Sequence, residues 1–192
     1  MDNCIINDTM HNKIDDKNKK ILKQMEISGF FFVSLAAFVL HFLYEWSGNE
    51  FWTTLFSAVN ESVWEHLKIF TLPYLFWAFF EICVVKIPFK KFVSAKILSL
   101  YFLLLSIPIF YYTYTGVFGK NVAVIDILSG FILTALTFAI SFKMITNAPC
   151  IEKYYKLSVI LLILYIIMIE FFTYTPPEIG LFKDPVSGSV GL

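Results

Sequence analysis

At 192 residues the chain is long enough for one domain, yet 58% of it is apolar, 22 residues are Phe and the mean hydropathy is +0.70. Such a composition makes a bilayer, rather than water around a soluble core, the solvent that organises the fold. Fifteen basic and fifteen acidic residues cancel to a net charge of zero, so no basic field gathers nucleic acid, and there is no Gly-rich phosphate loop or basic-aromatic patch.

Helices are expected throughout, because crossing a hydrocarbon core of about 30 Å takes about 20 helical residues. Five segments qualify: Ile27 to Trp46, Glu61 to Val85, Ile97 to Thr115, Asn121 to Thr146 and Leu157 to Thr175. The predicted fold class is therefore all-α, a polytopic membrane helix bundle with five transmembrane helices. Lysines precede the first segment, but its apolar run is too long for a signal peptide and has no convincing small-residue cleavage site, so it reads as a retained anchor. Residues 1–26 form a Lys-rich N-terminal segment, 27–175 the transmembrane domain and 176–192 a Pro- and Gly-containing tail.

Lysine placement sets the expected orientation. Lys13, Lys17, Lys19, Lys20 and Lys23 precede the first segment, Lys86, Lys90, Lys91 and Lys96 join the second to the third, and Lys143, Lys153 and Lys156 join the fourth to the fifth. The positive-inside bias makes this side cytoplasmic, with the N-terminus inside and the C-terminus outside. The expected location is a cytoplasmic (cell) membrane. Cys4, Cys83 and Cys150 all fall on the same side, where thiols stay reduced; no disulfide and no C-x-x-C metal motif is expected.

Between the first two segments, Phe51, Trp52, Leu55 and Phe56 recur at helical spacing and predict a short interfacial helix. Trp46, Trp52 and Trp64, with Tyr111, Tyr112 and Tyr114, fit an aromatic belt at that surface. In the tail, Pro176, Pro177 and Pro185 stop the last helix. Ile179, Leu181 and Phe182 give the tail an apolar surface with which to dock as a lid; a solvated tail is the alternative.

Charged groups inside or beside membrane helices are costly and point to function. His41 and Glu45 close the first segment, Asn60, Glu61, Glu65, His66 and Lys68 open the second, Asp126 lies near the start of the fourth and Glu170 near the end of the fifth. Counted from the helix ends, all lie within about two turns of the outer interface. Helical spacing pairs His41 with Glu45 and Glu61 with Glu65, while Asp126, Ser129, Gly130, Thr134, Thr137 and Ser141 form a small, polar stripe that faces protein. Five acids stand against one lysine and two histidines, an excess that needs protons or a bound cation. His41, Glu45, Glu65 and His66 are candidate ligands for a divalent metal such as zinc, with Asp126 and Glu170 as candidate catalytic carboxylates. Asn60 followed by Glu61 also reads as an N-cap with an acid on the helix dipole, and Glu65 with Lys68 as a simple ion pair. Glu81, near the inner end of the second segment, is expected to snorkel or pair with a nearby Lys.

The run Asn60-Glu61-Ser62-Val63-Trp64-Glu65-His66-Leu67-Lys68, with Tyr44-Glu45-Trp46-Ser47-Gly48 before it and Pro176-Pro177 through Phe182-Lys183-Asp184-Pro185 after it, resembles an uncharacterised family of small multi-pass membrane proteins, a domain of unknown function from anaerobic Gram-positive bacteria. The resemblance implies a bacterial cytoplasmic membrane and brings no activity with it. Three functions remain open: metal-assisted hydrolysis of an outer-leaflet lipid or lipid-linked substrate, a carrier or binding subunit for a cation or small cationic solute, and a structural or partner-binding role.

Overall fold

The computed structural model describes residues 14–191. Five long helices follow one another: α1 (Asp16–Trp46), α2 (Val63–Val84), α3 (Phe89–Phe118), α4 (Ala123–Asn147) and α5 (Tyr155–Tyr174). All five helical stretches are long and apolar enough to span a membrane, which is the fold of a multi-pass membrane protein. Among the described residues there is no strand, only an isolated bridge between Lys183 and Val190. Cys4 and Lys13 lie outside the described residues.

α1 starts well before the predicted Ile27. Asp15 caps it, its carboxylate accepting from the Asn18 amide at 2.6 Å, and Leu22 and Glu26 are already buried. An apolar run marks where hydrocarbon begins, whereas the helix continues past it for as long as one face has something to pack against. α3 likewise begins at Phe89, ahead of the predicted Ile97, and ends at Gly119, whose left-handed backbone (φ 71°) forms the C-cap.

α2 and α3 are the most buried helices and form the centre. α1 packs on α2 and α4, α2 on α3, and α3 on α4 and α5. Two glycines set the approach of neighbouring helices. A Cβ on Gly29 of α1 would meet Phe138 at 2.6 Å and also Trp77, and one on Gly130 of α4 would meet Phe70 at 2.6 Å. Pro73 in α2 and Pro108 in α3 each remove one backbone donor within their helices.

Apolar packing falls into two clusters. One, around Leu22, Ala78, Val85, Phe92 and Ile145, sits toward the lysine-rich end; the other, around Val33, Trp64, Leu67, Phe70, Leu100, Tyr165 and Phe182, fills the rest of the bundle. The connector between α1 and α2 is a 3-10 helix, Phe51–Leu55, with Phe51, Trp52 and Phe56 exposed and Thr53 and Thr54 buried. This is the expected short amphipathic helix in a tighter form.

Two aromatic assignments change. Trp64 is buried against Phe172 and Phe182 instead of sitting in an exposed belt, and Tyr114 is turned inward to bond Asp126. The tail is docked: Phe182, in the turn Gly180–Phe182, covers Trp64, and the Asn60 amide donates to the Gly191 carbonyl at 2.9 Å. Cys83 is free and exposed.

Candidate functional site

The α1–α2 junction places the polar groups. Ser62, not Asn60, is the N-cap of α2: its hydroxyl accepts from the Glu65 amide at 3.3 Å, and the Asn60 side chain instead accepts from the Ser62 amide at 2.9 Å. Glu61 therefore stands one residue ahead of the N-cap rather than in the first turn of the helix. The predicted Glu61/Glu65 face is broken, and the two acids go to different places.

Glu61 reaches the histidines. Its Oε1 lies 3.5 Å from His41 Nε2 and its Oε2 lies 3.6 Å from His66 Nε2, with the two imidazole rings 5.3 Å apart. One ligand atom from each of the three lies within 4.8 Å of the others, so the group could hold a metal ion. Each imidazole Nε2 thus faces its own oxygen of the one carboxylate.

His66 carries a further constraint. Its Nδ1 lies 2.9 Å from the Ser62 carbonyl oxygen, which can only accept, so Nδ1 bears a hydrogen and donates it. Nε2 is then the ring nitrogen left to face the Glu61 carboxylate, as the donor of an imidazolium or as an acceptor sharing a cation with it. A backbone carbonyl fixing the far ring nitrogen is also the usual support behind a metal-binding histidine.

Glu65 turns the other way and is buried. It pairs with Lys68 at 2.6 Å, and its Oε2 accepts from the Val59 amide at 3.2 Å. Lys68 also donates to the Thr54 carbonyl at 2.8 Å and the Thr173 hydroxyl at 3.3 Å, and Glu170 of α5 adds its attraction to this lysine. Glu45 is on the last turn of α1, near enough to act on His41 but not in the three-residue group. The acids read from sequence as one constellation thus divide between the His41–Glu61–His66 group and the Glu65–Lys68–Glu170 group.

The histidine group opens on a cavity of about 250 Å³ between α1, α2, α3 and α4. Its polar lining includes Tyr111, Asn121, Asp126 and Ser129, its apolar lining Phe70, Ile107 and Ile127, and Pro185 and Val186 of the tail line it as well. Asp126 receives the Tyr114 hydroxyl, which in turn accepts from the Val122 amide at 3.2 Å. In the tail, the Glu61 amide and the amides of Val186 and Ser187 bond Asp184. Partial burial raises the Asp184 pKa, but these amides and the Ser187 hydroxyl outweigh it and hold the carboxyl below its ordinary range.

Sequence reasoning passed over a second buried set. Lys96 of α3 lies 2.8 Å from Glu26 of α1 and 2.6 Å from Glu81 of α2, all three essentially inaccessible to solvent. Glu81 takes the pairing alternative rather than snorkelling. Its partner was hidden because Lys96 reads as one more member of a lysine-rich loop.

Together these features define a five-helix membrane protein with a polar His/Glu site at the end opposite the lysines. The chain belongs to a family of unknown function, DUF6512, matched over residues 10–192. No curated protein and no solved structure matches it.

Proposed function

We propose that His41, Glu61 and His66 bind a divalent cation such as zinc, and that the protein is a membrane-embedded hydrolase acting on an outer-leaflet lipid or lipid-linked group. The observation that supports the reading is the convergence of His41, Glu61 and His66, one ligand atom of each within 4.8 Å of the others, with the far ring nitrogen of His66 already committed to Ser62. Two imidazoles and one carboxylate are a ligand set used by hydrolytic zinc sites, where the fourth position holds a water made acidic enough to attack at neutral pH. Asp126, on the cavity wall, is the candidate general base, and Tyr114 orients it. A cavity with both polar and apolar walls suits the junction between a headgroup and an acyl chain. The lysine bias supports a mouth that opens outside a bacterial cytoplasmic membrane.

The test is turnover in vesicles carrying a mixture of phospholipids and lipid-linked sugars. The reading expects chelator-sensitive release of a polar headgroup that Asp126→Asn reduces at least about 100-fold, the weight of a general base, while bound metal is retained. Metal-loaded protein that releases nothing, or release insensitive to chelation, contradicts it.

One observation favours a carrier for a cation or small cationic solute. The Glu26–Lys96–Glu81 set supplies a second ionisable station toward the lysine-rich end of the bundle. Cation uptake into proteoliposomes that is abolished by Glu61→Gln would favour this reading over hydrolysis.

A further inference from the structure

Glu26, Lys96 and Glu81 have no place in the hydrolase reading, and charge counting shows what they need. α1 contributes Glu26, α2 contributes Glu81 and Tyr74, α3 contributes Lys96, and α4 contributes only the neutral Ser141. Two carboxylates therefore share one ammonium where relative exposure is 4%, 0% and 1% for Glu26, Glu81 and Lys96. The rings of Tyr74, Phe92 and Phe138 surround the lysine, each centroid 5.3–5.5 Å from Nζ, and seal it from lipid.

The two acids are not equivalent. Glu26 is satisfied, with Oε1 accepting from the Ser141 hydroxyl at 2.7 Å and Oε2 from Lys96 at 2.8 Å. Glu81 has Lys96 against Oε2 but no hydrogen-bond partner for Oε1. A sodium ion would need several more oxygen ligands than this pocket provides, whereas a proton needs only one. With one proton on the pair, the set is neutral and the uncompensated buried charge disappears.

We propose that Glu26, Lys96 and Glu81 form a proton-binding site in the lysine-rich half of the bundle, the two carboxyls together holding one proton, with Glu81 its resting place. Glu26 is one turn from Lys23, and Glu81 is one turn from the end of α2, so the proton exchanges with the nearer aqueous surface, inferred from the lysines to be cytoplasmic. Its departure leaves two carboxylates to compete for Lys96. No residue is shared with the histidine group, so this proposal and the hydrolase reading fail separately.

Infrared spectroscopy of the full-length protein in lipid nanodiscs tests it, because a protonated carboxyl has a carbonyl stretch that a carboxylate lacks. Difference spectra against wild type are expected to lose one carboxyl equivalent in Glu81→Gln and the same one in Glu26→Gln, since the remaining acid ionises against Lys96. Lys96→Met is expected to double the signal, both acids then being protonated. In wild type the band should vanish as pH is raised, with release of one proton per chain. Bands unchanged in either Gln variant, or a wild type with no pH-sensitive carboxyl signal, overturn the proposal. If one Gln variant fails to fold, the other and the wild-type titration decide.

Discussion

Glu65 and Lys68 show how little freedom a buried charge has. Each is almost fully enclosed, and the pair is supported by the Val59 amide, the Thr54 carbonyl and the Thr173 hydroxyl. Removing one partner leaves the other charge uncompensated, so Glu65→Gln or Lys68→Met is expected to lower stability by about 3–5 kcal/mol, while the double substitution loses much less. Thermal unfolding of the three variants in detergent checks this. The histidine group is looser: Glu61 is about half exposed and stands outside the helix, so its substitution is expected to cost little stability while removing a ligand. His41 and His66 were legible as site residues because imidazoles beside apolar runs have few other reasons to be there. Glu61 was read among the acids of the site but not as the partner of both histidines, because its position depends on Asn60 bonding both the Ser62 amide and the Gly191 carbonyl, a contact that joins residues 131 apart.

Helix existence was plain from apolar length, and helix limits were not, since burial of Leu22 and Glu26 extends α1 beyond the hydrocarbon-length run. Contacts between helices were the least legible. That Gly29 admits Trp77 and Phe138, and that Lys96 meets Glu26 across 70 residues, depends on which faces meet. Gly29→Ala is therefore expected to destabilise the α1–α2–α4 contact by about 1–3 kcal/mol, measurable as a lower Tm, because the added methyl must displace two rings. Asp184 is one of the groups that hold the tail, beside the Asn60–Gly191 bond and Phe182 on Trp64. Asp184 has a folded pKa below its unfolded one, so its contribution is complete above the unfolded value and is lost as pH falls through the folded value. Trp64, covered by Phe182, reports tail docking: its fluorescence is expected to shift on acidification in wild type, and to be shifted already at neutral pH in Asp184→Asn.

Across the whole molecule, ionisable groups gather toward the two ends of an apolar bundle, the His/Glu group near one surface and the Glu–Lys–Glu set nearer the other. Orientation decides which compartment each meets. With the lysine-rich end in the cytoplasm, Ser187→Cys is expected to react with an impermeant maleimide in intact cells and Lys90→Cys only after lysis; the reverse pattern would invert the topology. A metal at the histidine group accounts for its geometry, its tautomer and its cavity at once. The most direct measurement is elemental analysis of protein purified without added metal, for wild type and the variants Glu61→Gln, His66→Ala and Glu45→Gln. About one equivalent of a divalent transition metal is expected in wild type and in Glu45→Gln, with loss in the other two. No stoichiometric metal in wild type, or metal retained when Glu61 and His66 are replaced, would contradict the assignment.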